Sequence, residues 1–175
     1  MDGRSLDPNL LTQSRLWSHI VVHEAGHAVV GTALGFRVLG VQIGGLGSTD
    51  FGRMAGGTIF DAPEGDTRRL MRDRPDQMGV VLMAGAAAEL RFYKGSIERS
   101  YDEDFKILRR GLGWLNALTE AQQATVSGYL ESAIQEVADY RLAIERTAQA
   151  LLKRHRLSGD EFDEIFATAD DGGGC

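Results

Sequence analysis

Apolar residues crowd the first third of the chain. Ile20-Val21-Val22, Ala25 and Ala28-Val29-Val30 fill more than one face of a helix, so the stretch from about Thr12 to Leu34 predicts a helix too apolar for a solvated surface. Gly35 supplies its stop. Residues 1–11 read as an irregular lead-in, with Pro8 arguing against helix. The rhythm then changes: Phe36 to Ile43 is β-branched enough for a strand, and Gly57-Thr58-Ile59-Phe60 reads as a second short one. Eight glycines between 35 and 57 make Gly44 to Gly57 mostly loop.

Helical spacing returns downstream. Pro63 to Asp66 is a turn, followed by a short basic helix interrupted near Pro75. Asp76 to Tyr93 predicts a second apolar helix, whose many small residues allow close approach to a neighbour, most simply the first helix. Ser100-Tyr101-Asp102-Glu103 has the S-x-x-E pattern that starts a helix, with Phe105, Leu108, Leu112 and Leu115 as its buried stripe. From Glu120 to His155 one long helix is expected, buried along Val126, Leu130, Ile134, Val137, Ile144, Ala148 and Leu151. Ser158-Gly159-Asp160-Glu161 is another capping box, opening a last short helix through Phe162, Ile165 and Phe166. The expectation is a mainly α fold with a small β-sheet: one domain over 12–168 and a flexible acidic, glycine-rich tail at 169–175.

Composition narrows the partners. A chain of 175 residues with 43% apolar content is long enough for one real core. The net charge of −6 comes from Asp160, Glu161, Asp163, Glu164, Asp170 and Asp171; elsewhere acids equal the 19 Lys and Arg in number, so no basic surface invites nucleic acid. Arg68, Arg69, Arg72 and Arg74 read as a solvated helix face. The single cysteine, Cys175, forms no internal disulfide, which fits a reducing compartment. The charge-free run Met78 to Ala88 has 11 residues, short of a membrane span, and MDGRSLDPNL lacks a signal-peptide profile; a soluble cytoplasmic chain is expected.

The candidate chemistry lies in His23-Glu24-Ala25-Gly26-His27, inside the first helix. Residues four apart project from one face, so His23 and His27 can grip one metal ion. Imidazole nitrogen suits Zn²⁺, which in a hydrolytic site takes a third protein ligand and keeps one position for water. Glu24, beside the pair, can take a proton from that water. His19 is one turn too far: His19 to His27 spans about 12 Å along a helix. The third ligand is sought elsewhere. Asp104, next to apolar Phe105, is preferred, with Asp102 as fallback; Glu89 is a candidate ligand or an acid orienting a histidine. The metzincin pattern is excluded by Ala33, six residues after His27, and GxGxxG and GxxxxGK[ST] phosphate loops are lacking.

The order VVHEAGHAVVGTALG, VLGVQI, GGTIF, MAGAAAEL, an acid-rich helix start, and a long helix ending LLKRHRLSGDEFDEIF resembles the peptidase domain of the FtsH-type (membrane-anchored AAA) zinc proteases, from about Leu16 to Phe166. The resemblance implies a mostly helical fold with a small sheet and zinc held by His23, His27 and an Asp opening the third helix. Glu24 would be the general base and unfolded or extended polypeptides the substrates. An apolar residue following the ligand favours Asp104; the Ser two before it favours Asp102. The family's ATPase module and membrane segments have no counterpart here, so a stand-alone relative, a fragment, or a subunit fed by a separate ATPase is expected, with a homo-oligomer as a further possibility. Two other readings compete with an active endopeptidase: a catalytically silent zinc- and peptide-binding regulatory module, and a structural subunit in which HEAGH is ordinary core.

Overall fold

The computed structural model describes residues 8–44, 56–63, 67–93 and 101–170, the side chains of 8–18, 67 and 170 excepted. In chain order the elements are α1 (Pro8–Ala33), β1 (Val38–Gln42), β2 (Gly57–Phe60), α2 (Thr67–Asp73), α3 (Pro75–Tyr93), α4 (Asp102–Gly111), α5 (Glu120–Asp139), α6 (Arg141–Arg154), β3 (Arg156–Ser158) and α7 (Gly159–Asp170). The protein is mainly helical with one three-stranded antiparallel sheet.

α1 and α3 form the centre because their facing residues are small. Ala25, Ala28 and Val29 of α1 and Val81, Ala84, Ala87 and Ala88 of α3 are all buried. At Gly26 a Cβ would stand 2.6 Å from the Ala84 carbonyl oxygen and 2.8 Å from Ala88 Cβ, so only glycine permits this approach. α5 packs on the far side of α3 and α6 on α1. The sheet, ordered β2-β1-β3, lays Val38, Val41, Phe60 and Leu157 into the core. β1 is central, pairing Val41 with Thr58 on one side and with Leu157 on the other. One edge of β2 is therefore unpaired among the described residues.

Several expectations fail for identifiable reasons. α1 begins at Pro8, not after residue 11: proline suits the first helical turn, where its missing N–H has no partner to lose. α4 begins at Asp102 with Tyr101 as its cap and no side-chain capping bond, while Ser100 lies outside the described residues. Three acids in its first turn stabilise that end instead. Leu115 is 80% exposed, because α4 stops at Gly111 and Gly113 at φ +71° turns the chain away.

The helix expected from Glu120 to His155 is two helices, broken at Tyr140, whose ring stacks on Phe166. The break lets α5 and α6 serve different neighbours. On α5 the buried face is Tyr129, Ala133 and Val137, and Ile134 is exposed. Gly79 makes room for the Tyr129 ring, and Tyr129 donates to Asp76 at 2.8 Å, which fixes that rotation. Arg74 is half-buried and lies just past α2: it donates to the Leu34 and Gly35 carbonyls at the end of α1 and covers the Phe36 ring at 4.2 Å. β3 was not anticipated; it follows His155, which turns the chain at φ 60°.

Ala169, expected in the tail, is buried within α7, and residues 171–175 lie outside the described ones. Gly35 does terminate α1, at φ +80°. The box at Ser158 forms, with Glu161 accepting from the Ser158 N–H at 2.8 Å. The loop expected at Gly44 to Gly57 lies outside the described residues over 45–55.

Candidate metal centre

His23 and His27 rise one turn apart on the face of α1 that meets α3, and both are buried. Their rings cross at 82° with centroids 4.6 Å apart. What holds each ring comes from α3. His27 Nδ1–H donates to the Val81 carbonyl at 2.7 Å, and His23 Nδ1–H donates to Glu89 Oε1 at 2.7 Å. Gly85 leaves the space for the His23 ring, since a Cβ there would come within 2.5 Å of its Cε1 and Nε2. A carbonyl can only accept, so the His27 hydrogen is committed to Nδ1 and its Nε2 lone pair faces inward. The carboxylate of Glu89 sets His23 the same way.

Asp104 closes the group from α4. Its Oδ2 is 2.9 Å from His23 Nε2 and 3.3 Å from His27 Nε2, while the two Nε2 atoms are 3.0 Å apart. Two Nε2 atoms and a carboxylate oxygen thus meet, with each Nδ1 engaged on the outer side. Tetrahedral zinc at ordinary N and O distances sets its ligand atoms about 3.3 Å apart. The donor set of two imidazoles and a carboxylate, and its spacing, fit such an ion.

The ionisation states follow from this crowding. Burial by itself would lower the pKa of His23, but the hydrogen bonds to Asp104 and Glu89 outweigh it and raise it to about 10. His27 also moves up against its burial, through the charge of Asp104 and the hydrogen bond to it. For Asp104 burial pushes upward, yet the His27 charge and the hydrogen bonds from both imidazoles hold it well below the usual carboxylate range. The cluster therefore demands positive charge between its members, as protons or as a metal.

Glu24, on the adjoining side of α1, is buried, and that burial raises its pKa despite the lowering influence of His27 and His23. It is covered by β2 and the residue before it: the Thr58 hydroxyl lies 3.2 Å from Glu24 Oε2, and a Cβ at Gly56 would collide with Glu24 Cγ and Oε1.

The structure brings His23, His27 and Asp104 together; this is the grouping of metal-ligating side chains found among the described residues, and Asp102 is not part of it. Glu89 stands behind His23 as the orienting acid, fully buried rather than at the rim of the core. His19 lies outside the cluster as expected, 3.4 Å from the other Glu89 oxygen and stacked on Tyr93. Sequence reasoning missed Thr58 and Gly56, since a threonine and a glycine near a short strand carry no chemical signature. No family model and no curated protein matches the chain. None of the described helices is long and apolar enough to cross a membrane.

Proposed function

We propose that the protein is a zinc-dependent endopeptidase of the FtsH type that acts on unfolded or extended polypeptides. The observation that supports this most is the facing of two imidazole Nε2 atoms and one carboxylate oxygen, with each Nδ1 engaged on the outer side and a buried acid adjoining. His23, His27 and Asp104 would hold the ion. When bound, zinc supplies a Lewis acid that polarises the scissile carbonyl and makes a nucleophilic water available near neutral pH.

Glu24 takes the proton of the attacking water and hands it to the leaving amine. Its burial suits both halves of that task, because a carboxylate short of solvent holds a proton more readily than one in water. Glu89 keeps the His23 hydrogen on Nδ1, so that Nε2 stays available as a ligand atom. The edge of β2 that is unpaired among the described residues takes the substrate backbone as an added strand, which requires an extended segment. Such segments arrive unaided or from a separate ATPase, and assembly with further copies of the chain would enclose them.

Elemental analysis together with cleavage of casein tests the reading. The wild-type protein is expected to hold one zinc per chain, and Glu24→Gln to keep that zinc while cleavage falls roughly 10²–10⁴-fold. Stoichiometric zinc with no chelator-sensitive cleavage would instead indicate a silent binding module. A chain that takes up no transition metal would be a structural subunit.

A further inference from the structure

The contact between β2 and the acid of the HEAGH helix assigns a role to a residue outside the motif. Thr58 Oγ1 lies 3.1 Å from the Glu24 main-chain carbonyl and 3.2 Å from Glu24 Oε2. Both partners only accept, the carboxylate when ionised, so the hydroxyl is the donor in each contact, and its one hydrogen is shared or alternates between them. The main-chain contact fixes Thr58 against α1. The side-chain contact then restrains the carboxylate relative to that fixed point. On the other side Gly56 has no side chain, and the Glu24 carboxyl occupies the space a Cβ would take. Glu24 is thus held between a donor on β2 and the glycine that immediately precedes that strand. That strand also carries the edge on which an extended backbone would pair.

We propose that Thr58 is a positioning residue: its hydroxyl aligns the Glu24 carboxylate for proton transfer and locks that alignment to the strand that receives the substrate. The inference rests on the endopeptidase reading of the site. Thr58 itself touches no metal-ligating atom and takes no proton. Restricting an acid to one rotamer is worth part of the full contribution of a general base, because misplacement by about 1 Å can cost some 10²-fold in rate. A hydroxyl is required for this and a methyl is not. Valine keeps the β-branched shape of the strand and loses the donor, whereas serine keeps the donor and loses the methyl.

The test compares wild type, Thr58→Val and Thr58→Ser as zinc-loaded proteins, by casein-peptide kinetics and by the ¹³Cδ chemical shift of Glu24, assigned by its disappearance in Glu24→Gln. Expected for Thr58→Val are a kcat lowered roughly tenfold, a KM within about twofold, unchanged zinc content and a displaced Glu24 resonance. Thr58→Ser is expected to restore both kcat and resonance. A resonance that stays in place in Thr58→Val overturns the hydrogen bond, whatever the kinetics. A displaced resonance with unchanged kcat overturns the positioning role while leaving the endopeptidase reading intact. Zinc-loaded wild type that cleaves nothing overturns that reading and the catalytic half of this proposal with it, and the resonance still decides whether the bond exists.

Discussion

The two parts of the candidate centre are held in very different ways. The imidazole pair stands between α1 and α3, where the packing is close enough that a single methyl at Gly26 or Gly85 would collide with its neighbour. α3 buries residues along most of its length from Met78 to Glu89. Asp104 comes from α4, whose one fully buried residue is Leu108, with Ile107 exposed and Phe105 only partly covered. A rigid pair of nitrogens is thus completed by a carboxylate on a lightly anchored helix. Elements with few buried contacts open at lower free energy than core ones, so docking of α4 and uptake of a metal are linked: each strengthens the other.

Removing the carboxylate is the most direct way to break this comparison. Asp104→Ala is expected to weaken zinc roughly 10²–10³-fold, one ligand's share of a typical site, in a competitive chelator titration. Asp102→Ala should leave the affinity within about twofold, because Asp102 is outside the cluster. If Asp102→Ala loses the metal and Asp104→Ala does not, the assignment of α4's ligand is wrong.

The two anchoring modes can be separated by urea unfolding with and without zinc. Leu108→Ala removes the buried anchor of α4 and is expected to cost about 2–5 kcal/mol without metal. Much of that loss should be recovered with saturating zinc, which redocks α4 through Asp104. Gly85→Ala inserts a methyl against the His23 ring and is expected to cost about 1–3 kcal/mol. Zinc should not rescue it, since the displaced atom is itself a ligand. Equal rescue of both variants would show that the pair and α4 form one cooperative unit.

Glu89→Gln tests the rigid half alone. The amide can still accept from His23 Nδ1–H but carries no charge, so zinc affinity is expected to fall about 10–100-fold, and the metal-free fold to lose the stability that a charged Glu89 gives a protonated His23. A larger loss, matching that of Asp104→Ala, would place Glu89 among the ligands.

What the sequence made legible follows the same division. The spacing of His23 and His27, the apolar run around them and the small residues of α3 all imply helix-on-helix packing, and α1 and α3 appear where periodicity put them apart from the earlier start of α1 at Pro8. Glu89 was legible as a candidate for the histidine's partner, though not its complete burial. Asp104 was preferred over Asp102 on the strength of its apolar neighbour, and the placement of Ser100 pulled the other way. A helix start is a local signal, whereas the rotation of α4 about Leu108 is set by tertiary packing. The break at Tyr140 was illegible for a related reason: no Pro or Gly marks it, and stacking on Phe166, 26 positions away, comes only with the assembled fold. β3 is a single buried leucine between two exposed residues, too short for any alternation to show.

The smallest effect expected is also the one that links the two halves electrostatically. In the metal-free fold His23 has its pKa raised from 6.5 to about 10, so its contribution to stability is complete below pH 6.5 and is lost as pH rises through about 10. His27 and Glu24 are raised as well and act in the same direction. Asp104, held below 3.8, contributes above that value and loses its contribution as the solution is acidified through its lowered pKa. Asp104, His23 and His27 should therefore all contribute fully between roughly pH 4 and 6.5, Glu24 fully only below 4.5, and the metal-free protein should weaken toward pH 10 as protons leave the cluster. A bound metal requires those same nitrogens deprotonated, so its uptake releases protons and tightens as pH rises. The gap between zinc-loaded and metal-free melting midpoints should then widen from pH 6 to pH 9, by a few degrees for each kcal/mol of added linkage. Calorimetric titrations in buffers of different ionisation heat should count the released protons directly. A gap that stays constant over that range, with no proton release, would mean that the metal does not displace protons from these three side chains and is held elsewhere.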